Sequence, residues 1–406
     1  MQSRRKKVVH MIWVTALVLI CSMGFTSHAS AETEGNWSGA KKAVIEAYQS
    51  YKTEVDVTAY KLNYKKEYEE LKSMMSEVVN ETPYIFYAAT SYTVSRNSST
   101  DQIVKIGLGY TDEYKKEDGT VRKKKIKNTR AKLDAAVNEA LASVDSRMTK
   151  LEKALVLHDY IIKNTTYAKN STKQYRLTEI GVFLKNKANC QGYSLAYGIL
   201  MEKIGVPVQY VSSDEMSHMW NMIKIGGKWY HVDVTWDDPV DANEELDQYG
   251  LVKHNNFLCS SAKFQKNGHY GFDTTTAVTT KHDNKYWKSV TSSFHYQDGK
   301  WLYLTKNGVV ERDKLAGGTK KVIYNVSARN LIQFDKSKYY FIAYNSIYLY
   351  DYETNSATQV WKTSSKYSGE YYLTQIKYDN GTVYYRLLYG EKHVNGKLKP
   401  NKNGTF

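Results

Sequence analysis

Apolar residues recur at helical spacing in four stretches of the first half of the chain. In YKKEYEELKSMMSEVV, Leu71, Met74, Met75, Val78 and Val79 fall on one helical face. RAKLDAAVNEALASV repeats the pattern from Arg130. The next helix opens at Thr149-Lys150-Leu151-Glu152, a capping-box pattern, and its apolar face carries Leu151, Ala154, Leu155, His158 and Ile162. On such a face His158 reads as a satisfied core histidine. The fourth helix covers residues 190–204, with Leu195, Ile199, Leu200 and Ile204 inward, and Gly205 and Pro207 stop it.

Between and after these helices the pattern is that of strands. PYIFYAATSYTVS and QIVKIGLGY predict two in the N-terminal part; VPVQYVSS, HMWNMIKI and KWYHVDVTW predict three more after the fourth helix. Gly226-Gly227 between the last two is a hairpin signal. From about residue 285 helical periodicity vanishes and tyrosine dominates. FHYQDGKWLYL, IQFDKSKYYFI and IKYDNGTVYYR each read as strand, polar turn, strand; Tyr296, Phe334 and Tyr378 align at separations of 38 and 44 residues. That period resembles propeller blades, although a closed ring needs at least about four.

These textures divide the 406 residues into an N-terminal α+β region (32–145), an α+β core (146–278), a β-rich repeat region with propeller-like units (285–391) and a basic tail (392–406) that reads as disordered. Residues 1–31 stand apart. Arg4 to Lys7, the apolar run MIWVTALVLICSMGF and the small residues Ala29-Ser30-Ala31 make a secretory signal peptide cut before Glu32. No later segment is long and apolar enough to predict a membrane span. The expected location is therefore secreted and extracellular, associated with the cell envelope.

The leader holds four cations and no acid, so its removal takes the formal charge from +15 to +11. A chain this basic is drawn to polyanions, here anionic envelope polymers and not nucleic acid. Arg122-Lys123-Lys124-Lys125 reads as a solvated face or loop. Cleavage also removes Cys21 and leaves Cys190 and Cys259, too few thiols for a disulfide scaffold.

One of those thiols is placed for chemistry. Cys190, in NCQGYS, falls where a loop becomes a helix, and thiols at helix N-termini ionise more readily. A base and an orienting acid come from the Gly226-Gly227 hairpin. A two-residue turn pairs Ile225 with Lys228; counting back, Trp220 pairs with Asp233 and His218 with Thr235. Side chains alternate, so His218, Trp220, His231, Asp233 and Thr235 share one face. Asp233 is then the diagonal neighbour of His218, about 7–8 Å away by backbone and within side-chain reach. One ring nitrogen of His218 bonds Asp233 and the other is left for the Cys190 thiol, the logic of a catalytic triad with sulfur as nucleophile.

Cys-Gln-Gly-Tyr at 190–193, His-Met-Trp-Asn at 218–221 and WYHVDVTWDDP at 229–239 resemble the bacterial transglutaminase-like superfamily, within the wider papain-like cysteine hydrolases. LEKALVLHDYIIKNTTY before them and HNNFLCSSAKFQKNGHY after them extend the resemblance over roughly residues 146–275. Met219 stands where alanine is usual and points off the shared face. The resemblance implies a papain/transglutaminase-like core, its helix packed on an antiparallel sheet. It also implies that Cys190 attacks a carboxamide or peptide carbonyl, that His218 moves the proton and that Asp233 holds His218. The oxyanion would meet backbone N–H groups near Cys190, with Gln191 and Trp220 as side-chain candidates. Water as acceptor makes a protease or amidase; an amine makes a transglutaminase.

The remaining polar residues read plainly. His231 is structural, Cys259 is packing, and His254 and His269 show no metal-ligand spacing. The loop DDPVDANEELD, residues 237–247, lacks the order of a calcium loop and reads as solvated. No cofactor and no metal are expected. A protein or peptide is the expected substrate, and the alternative is an idle transglutaminase-fold scaffold that binds surfaces through its aromatic β-region.

Overall fold

The computed structural model describes residues 35–240, 250–363 and 371–406. The leader at 1–31 and residues 241–247 of the acidic loop lie outside the described residues.

Helix α1 (Trp37–Gln49), strand β1 (Glu54–Asp56), helix α2 (Tyr68–Glu81) and strands β2 (Ala88–Arg96) and β3 (Ile103–Tyr110) form the first layer. Its antiparallel sheet has the order β1-β3-β2. Helix α3 (Lys123–Leu141) follows. Arg122 to Lys125, expected as a solvated face or loop, are all exposed and open this helix as a solvated face, with Arg122 at the N-cap.

Helix α4 (Lys150–Asn164) starts at the predicted capping box. Thr149 accepts from the Glu152 N–H and Glu152 reaches back to the Thr149 N–H. Strand β4 (Thr166–Tyr167), helix α5 (Glu179–Lys185) and strand β5 (Lys187–Ala188) lead into helix α6 (Cys190–Lys203). Eleven of its fourteen residues are buried, so α6 is the central helix, covered on all sides by α4, α5 and the next sheet. That sheet is antiparallel, with β6 (Val208–Ser213), β7 (His218–Ile225), β8 (Lys228–Val232) and, past the short helix α7 (Val234–Asp237), β9 (Phe257–Cys259) in sequence order. Helix α8 (Ser261–Lys266) closes it. One contiguous cluster of buried apolar side chains runs from Ala40 to Leu315, so the first layer and the α6 region share a core.

Three antiparallel sheets make up the β-rich end: β10 (His295–Gln297), β11 (Lys300–Thr305), β12 (Gly308–Arg312) and β13 (Lys320–Asn325); β14 (Arg329–Gln333), β15 (Lys338–Ala343), β16 (Ser346–Asp351) and β17 (Ser356–Lys362); and β18 (Tyr372–Asp379), β19 (Thr382–Tyr389) and β20 (Lys392–Leu398). The three similar sequence segments are the β10-β11, β14-β15 and β18-β19 hairpins. Apolar clusters join the first sheet to the second and the second to the third.

The tail corrects an expectation. Residues from Lys392 are not disordered: Lys392 to Leu398 pair with Val383 to Tyr389 of β19 as β20. Beyond it, the Tyr340 hydroxyl donates to the Gly404 carbonyl at 2.8 Å and Phe406 stacks on the Tyr340 ring. A polar composition hides this strand because its backbone, not an apolar face, does the pairing.

Candidate active site

The pairing expected from Gly226-Gly227 is observed from Ile225↔Lys228 to Asn221↔Val232. There the ladder stops. Asp233 does not pair with Trp220; its carboxylate accepts the N–H groups of Thr235 and Trp236 at 2.9 and 3.1 Å and starts α7. Thr235 is therefore helical, and His218 pairs instead with Ser213 of β6. A capping side chain has won over a strand continuation.

Asp233 is fully buried, and all its acceptor positions are used. Oδ1 takes the two backbone donors. Oδ2 takes His218 Nε2 at 2.7 Å and His269 Nε2 at 2.8 Å. Burial works against its charge, but the hydrogen bonds and positive charge of the two histidines prevail and hold its pKa at about 2. A carboxylate only accepts, so both Nε2 atoms carry protons, and Nδ1 of His218 is the nitrogen left for a thiol.

Burial likewise opposes a charged His218. Its hydrogen bond to Asp233, its interaction with the Cys190 thiol and the attraction of both raise its pKa to about 10. Two indoles stack on the same ring, Trp220 at 5.7 Å and Trp236 at 5.5 Å between centroids, which further favours the cation.

Cys190 is the first residue of α6. Asn189 caps the helix, its Oδ1 accepting from the Gly192 N–H at 3.3 Å. Gly192 permits this position. A Cβ there would lie 2.7 Å from the Arg176 carbonyl oxygen and 2.8 Å from that of Thr178. Only a residue without a side chain lets the helix start lie against the 176–178 backbone. Cys190 and Gln191 supply the first two N–H groups of α6, which have no acceptor within the helix.

The two side-chain candidates for an oxyanion are placed elsewhere. Trp220 donates its one N–H to His231 Nδ1 at 3.0 Å, which corrects the expectation for it. Gln191 donates to Asn80 of α2 at 3.2 Å. His231 donates its Nε2–H to Ser261 Oγ at 3.1 Å and stays neutral, its pKa lowered to about 3 by burial and then by His269. It is structural, as read from sequence.

A second buried polar group lies behind the first. His158 bonds Asp159 through Nδ1 at 3.0 Å and Asp237 through Nε2 at 3.2 Å. His254 bonds Asp159 at 2.9 Å and the Val290 carbonyl at 2.9 Å. Burial opposes charge on His158, and its two carboxylate partners overcome that and raise its pKa to about 9. Asp237 also accepts from Asn256, so this network ties α4 to the end of α7, the helix that Asp233 begins. Asp237 and Asp238 thus leave the solvated loop expected for them: both are buried, and Asp238 accepts from the Tyr193 hydroxyl. Among the described residues His158, Asp159, His254 and His218, Asp233, His269 are the two trios whose donor atoms converge. In each, those atoms are already hydrogen-bonded to one another.

Sequence reasoning missed His269 and His254. Both follow Asp233 in the chain and neither carries a periodic signal. Their one trace is the segment HNNFLCSSAKFQKNGHY. Cys259 is fully buried, with a pKa pushed to about 11 by burial against the opposing effect of Lys288, so it stays protonated at neutral pH. Both cysteines are free.

Compared with protein families, residues 137–234 match the transglutaminase-like superfamily. No curated protein matches the sequence. Among solved structures the chain is similar to a TGase (17% identity, 38% of this chain and 47% of that one, TM-score 0.23). A protein described as a candidate cysteine protease, from Cytophaga hutchinsonii, matches at 13% identity over 36% of this chain and 61% of that one, TM-score 0.22. The N-terminal domain of Nup159 matches at 10% identity over 48% and 44%, TM-score 0.22. The chain spans about half the length of the TGase, 47%.

Proposed function

From a chain whose residues 137–234 form a transglutaminase-like superfamily domain, we propose a cysteine acyl-transfer enzyme that works through a thioester on Cys190. The observation that carries this reading is the 2.7 Å bond from His218 Nε2 to the buried Asp233, which leaves Nδ1 for the thiol. His218 takes the thiol proton, and the thiolate adds to the carbonyl carbon of a peptide or side-chain amide. The oxyanion meets the Cys190 and Gln191 N–H groups. Collapse breaks the C–N bond, and His218 Nδ1–H protonates the departing amine. Water or a second amine then attacks the thioester, giving its proton to His218, and releases the thiol.

Protease or amidase and transglutaminase are both served by this cycle, which differs only in the acceptor. Proteins and peptides are the substrates in either case. The leader-like residues 1–31 and the basic composition support a secreted protein acting at anionic envelope surfaces. An idle scaffold is the weaker reading, since it gives no reason to hold a charged His218–Asp233 pair beside a thiol.

Iodoacetamide at neutral pH tests the proposal. Cys190 is expected to alkylate well ahead of Cys259, and His218→Ala to remove that lead. Equal rates for the two thiols, or an unchanged Cys190 rate in the variant, would sink it. A tagged primary amine offered with a protein acceptor then separates the two outcomes: tagged product marks a transferase, cleaved amide alone a hydrolase.

A further inference from the structure

A cavity of about 230 Å³ lies where the C-terminal end of α4 meets the β-rich end of the molecule. Lys163 comes to its wall from α4, Ser293 and His295 from the segment entering β10, Gln333 from β14, and Lys377 and Tyr378 from β18. Two lysines face it, and no Asp or Glu is among the described residues that line it.

The Lys163 ammonium makes no hydrogen bond or ion pair with a described residue. Burial lowers its pKa, opposed by the charge of Asp159. That carboxylate is already committed: it accepts from His158, from His254 and from the Phe294 N–H at 2.9 Å. His295 does not answer the charge. Its Nε2–H is spent on the Leu331 carbonyl at 2.9 Å, and burial, then Lys163, lower its pKa to about 4. Lys163 is half-buried, and an anion placed beside an ammonium group that has no partner would be favoured there. The volume falls below that of a drug-sized pocket and suits an ion with few attached atoms.

We propose that this cavity binds a small anion, a carboxylate or a phosphoryl group, held between Lys163 and Lys377. The site is separate from Cys190 and stands whether or not the acyl-transfer reading does.

Thermal unfolding of the whole protein tests it, with sodium phosphate, sodium acetate and sodium chloride compared at equal ionic strength. Phosphate or acetate should raise Tm above the chloride control, and the more effective salt names the anion class. Lys163→Met, which keeps the side-chain length, should weaken the apparent affinity on the order of tenfold, and Lys377→Met should weaken it less. A second readout needs no variant. Pyridoxal 5′-phosphate with borohydride at pH 7.5 should label Lys163 first. The amine adds to the aldehyde, water leaves, and hydride from borohydride reduces the imine. Excess of the favoured anion should slow that labelling. No Tm gain over chloride, the same gain in Lys163→Met, or labelling spread evenly over surface lysines would overturn the site.

Discussion

His269 Nε2 donates to Asp233 Oδ2 at 2.8 Å, on the same oxygen that His218 holds at 2.7 Å. With the Thr235 and Trp236 N–H groups on Oδ1, the carboxylate is gripped from four sides and cannot turn away from His218. Removing His269 frees one of those grips and makes the carboxylate more basic. His269→Gln is expected to lower kcat/KM on the order of tenfold to a hundredfold. It should also move the high-pH limb of the rate profile upward. A merely structural role would lower Tm and leave that limb in place.

Asp233→Asn separates orientation from capping. Asparagine caps a helix about as well as aspartate, so α7 should persist, while loss of the buried carboxylate from His218 and His269 should lower Tm. The amide offers a donor where His218 needs an acceptor, and the ring takes the wrong tautomer. The expected loss in kcat is on the order of 10⁴-fold, read in steady-state kinetics at pH 7.

The charge on His218 sets a pH limit. Its pKa is raised from 6.5 to about 10, so the protonated ring is present below that value and disappears above it. Leaving-group protonation should fail along with it. The value of kcat/KM is expected to fall as pH rises through about 10. The stability linked to His218 is fully present below pH 6.5 and is lost over the same rise. For Asp233 the sign is opposite: its contribution is present above pH 3.8 and is lost as pH falls through about 2.

His158 holds two buried carboxylates together. His158→Leu leaves Asp159 and Asp237 without that partner and should cost about 3–5 kcal/mol in urea denaturation at pH 7. The folded pKa of about 9 exceeds 6.5, so the contribution of His158 is complete below pH 6.5 and lost as pH rises through 9. The gap between wild type and variant should therefore narrow between pH 7 and pH 9.5. A constant gap would mean that packing alone is at work.

Gly192 gives the helix start its place. In Gly192→Ala the new methyl meets the Arg176 and Thr178 carbonyl oxygens, which belong to the backbone and cannot swing aside. The expected cost is about 1–3 kcal/mol. Cys190 would shift with the helix, so its alkylation rate should fall while that of Cys259 stays the same.

The hairpin was legible because alternation and a two-residue turn are local rules. Ile225↔Lys228 fixes the parity of every residue back to Asn221, and with it the face of His218. The capping box at Thr149 and the glycine stop after α6 were legible for the same reason. The first failure came at Asp233, where a side chain took over backbone donors of Thr235 and Trp236 and ended the pairing of β8 with β7. Asp237 and Asp238 were misread because an acidic run looks solvated until something buried pairs with it. The tail was misread because β20 packs only Val394 and Leu398 against the core, too few to show a strand period, and its pairing to β19 is made by the backbone.

Chain order and short-range chemistry alone thus determined where α6 begins, why Cys190 stands at its head, and which face of the hairpin carries His218. Only the tertiary structure decided what surrounds them. His269 reaches Asp233 from 36 residues away, and His254 reaches Asp159 from 95. No helical or strand period spans such distances. Those contacts exist because burial forces each charged group to find a partner wherever the packed elements happen to bring one.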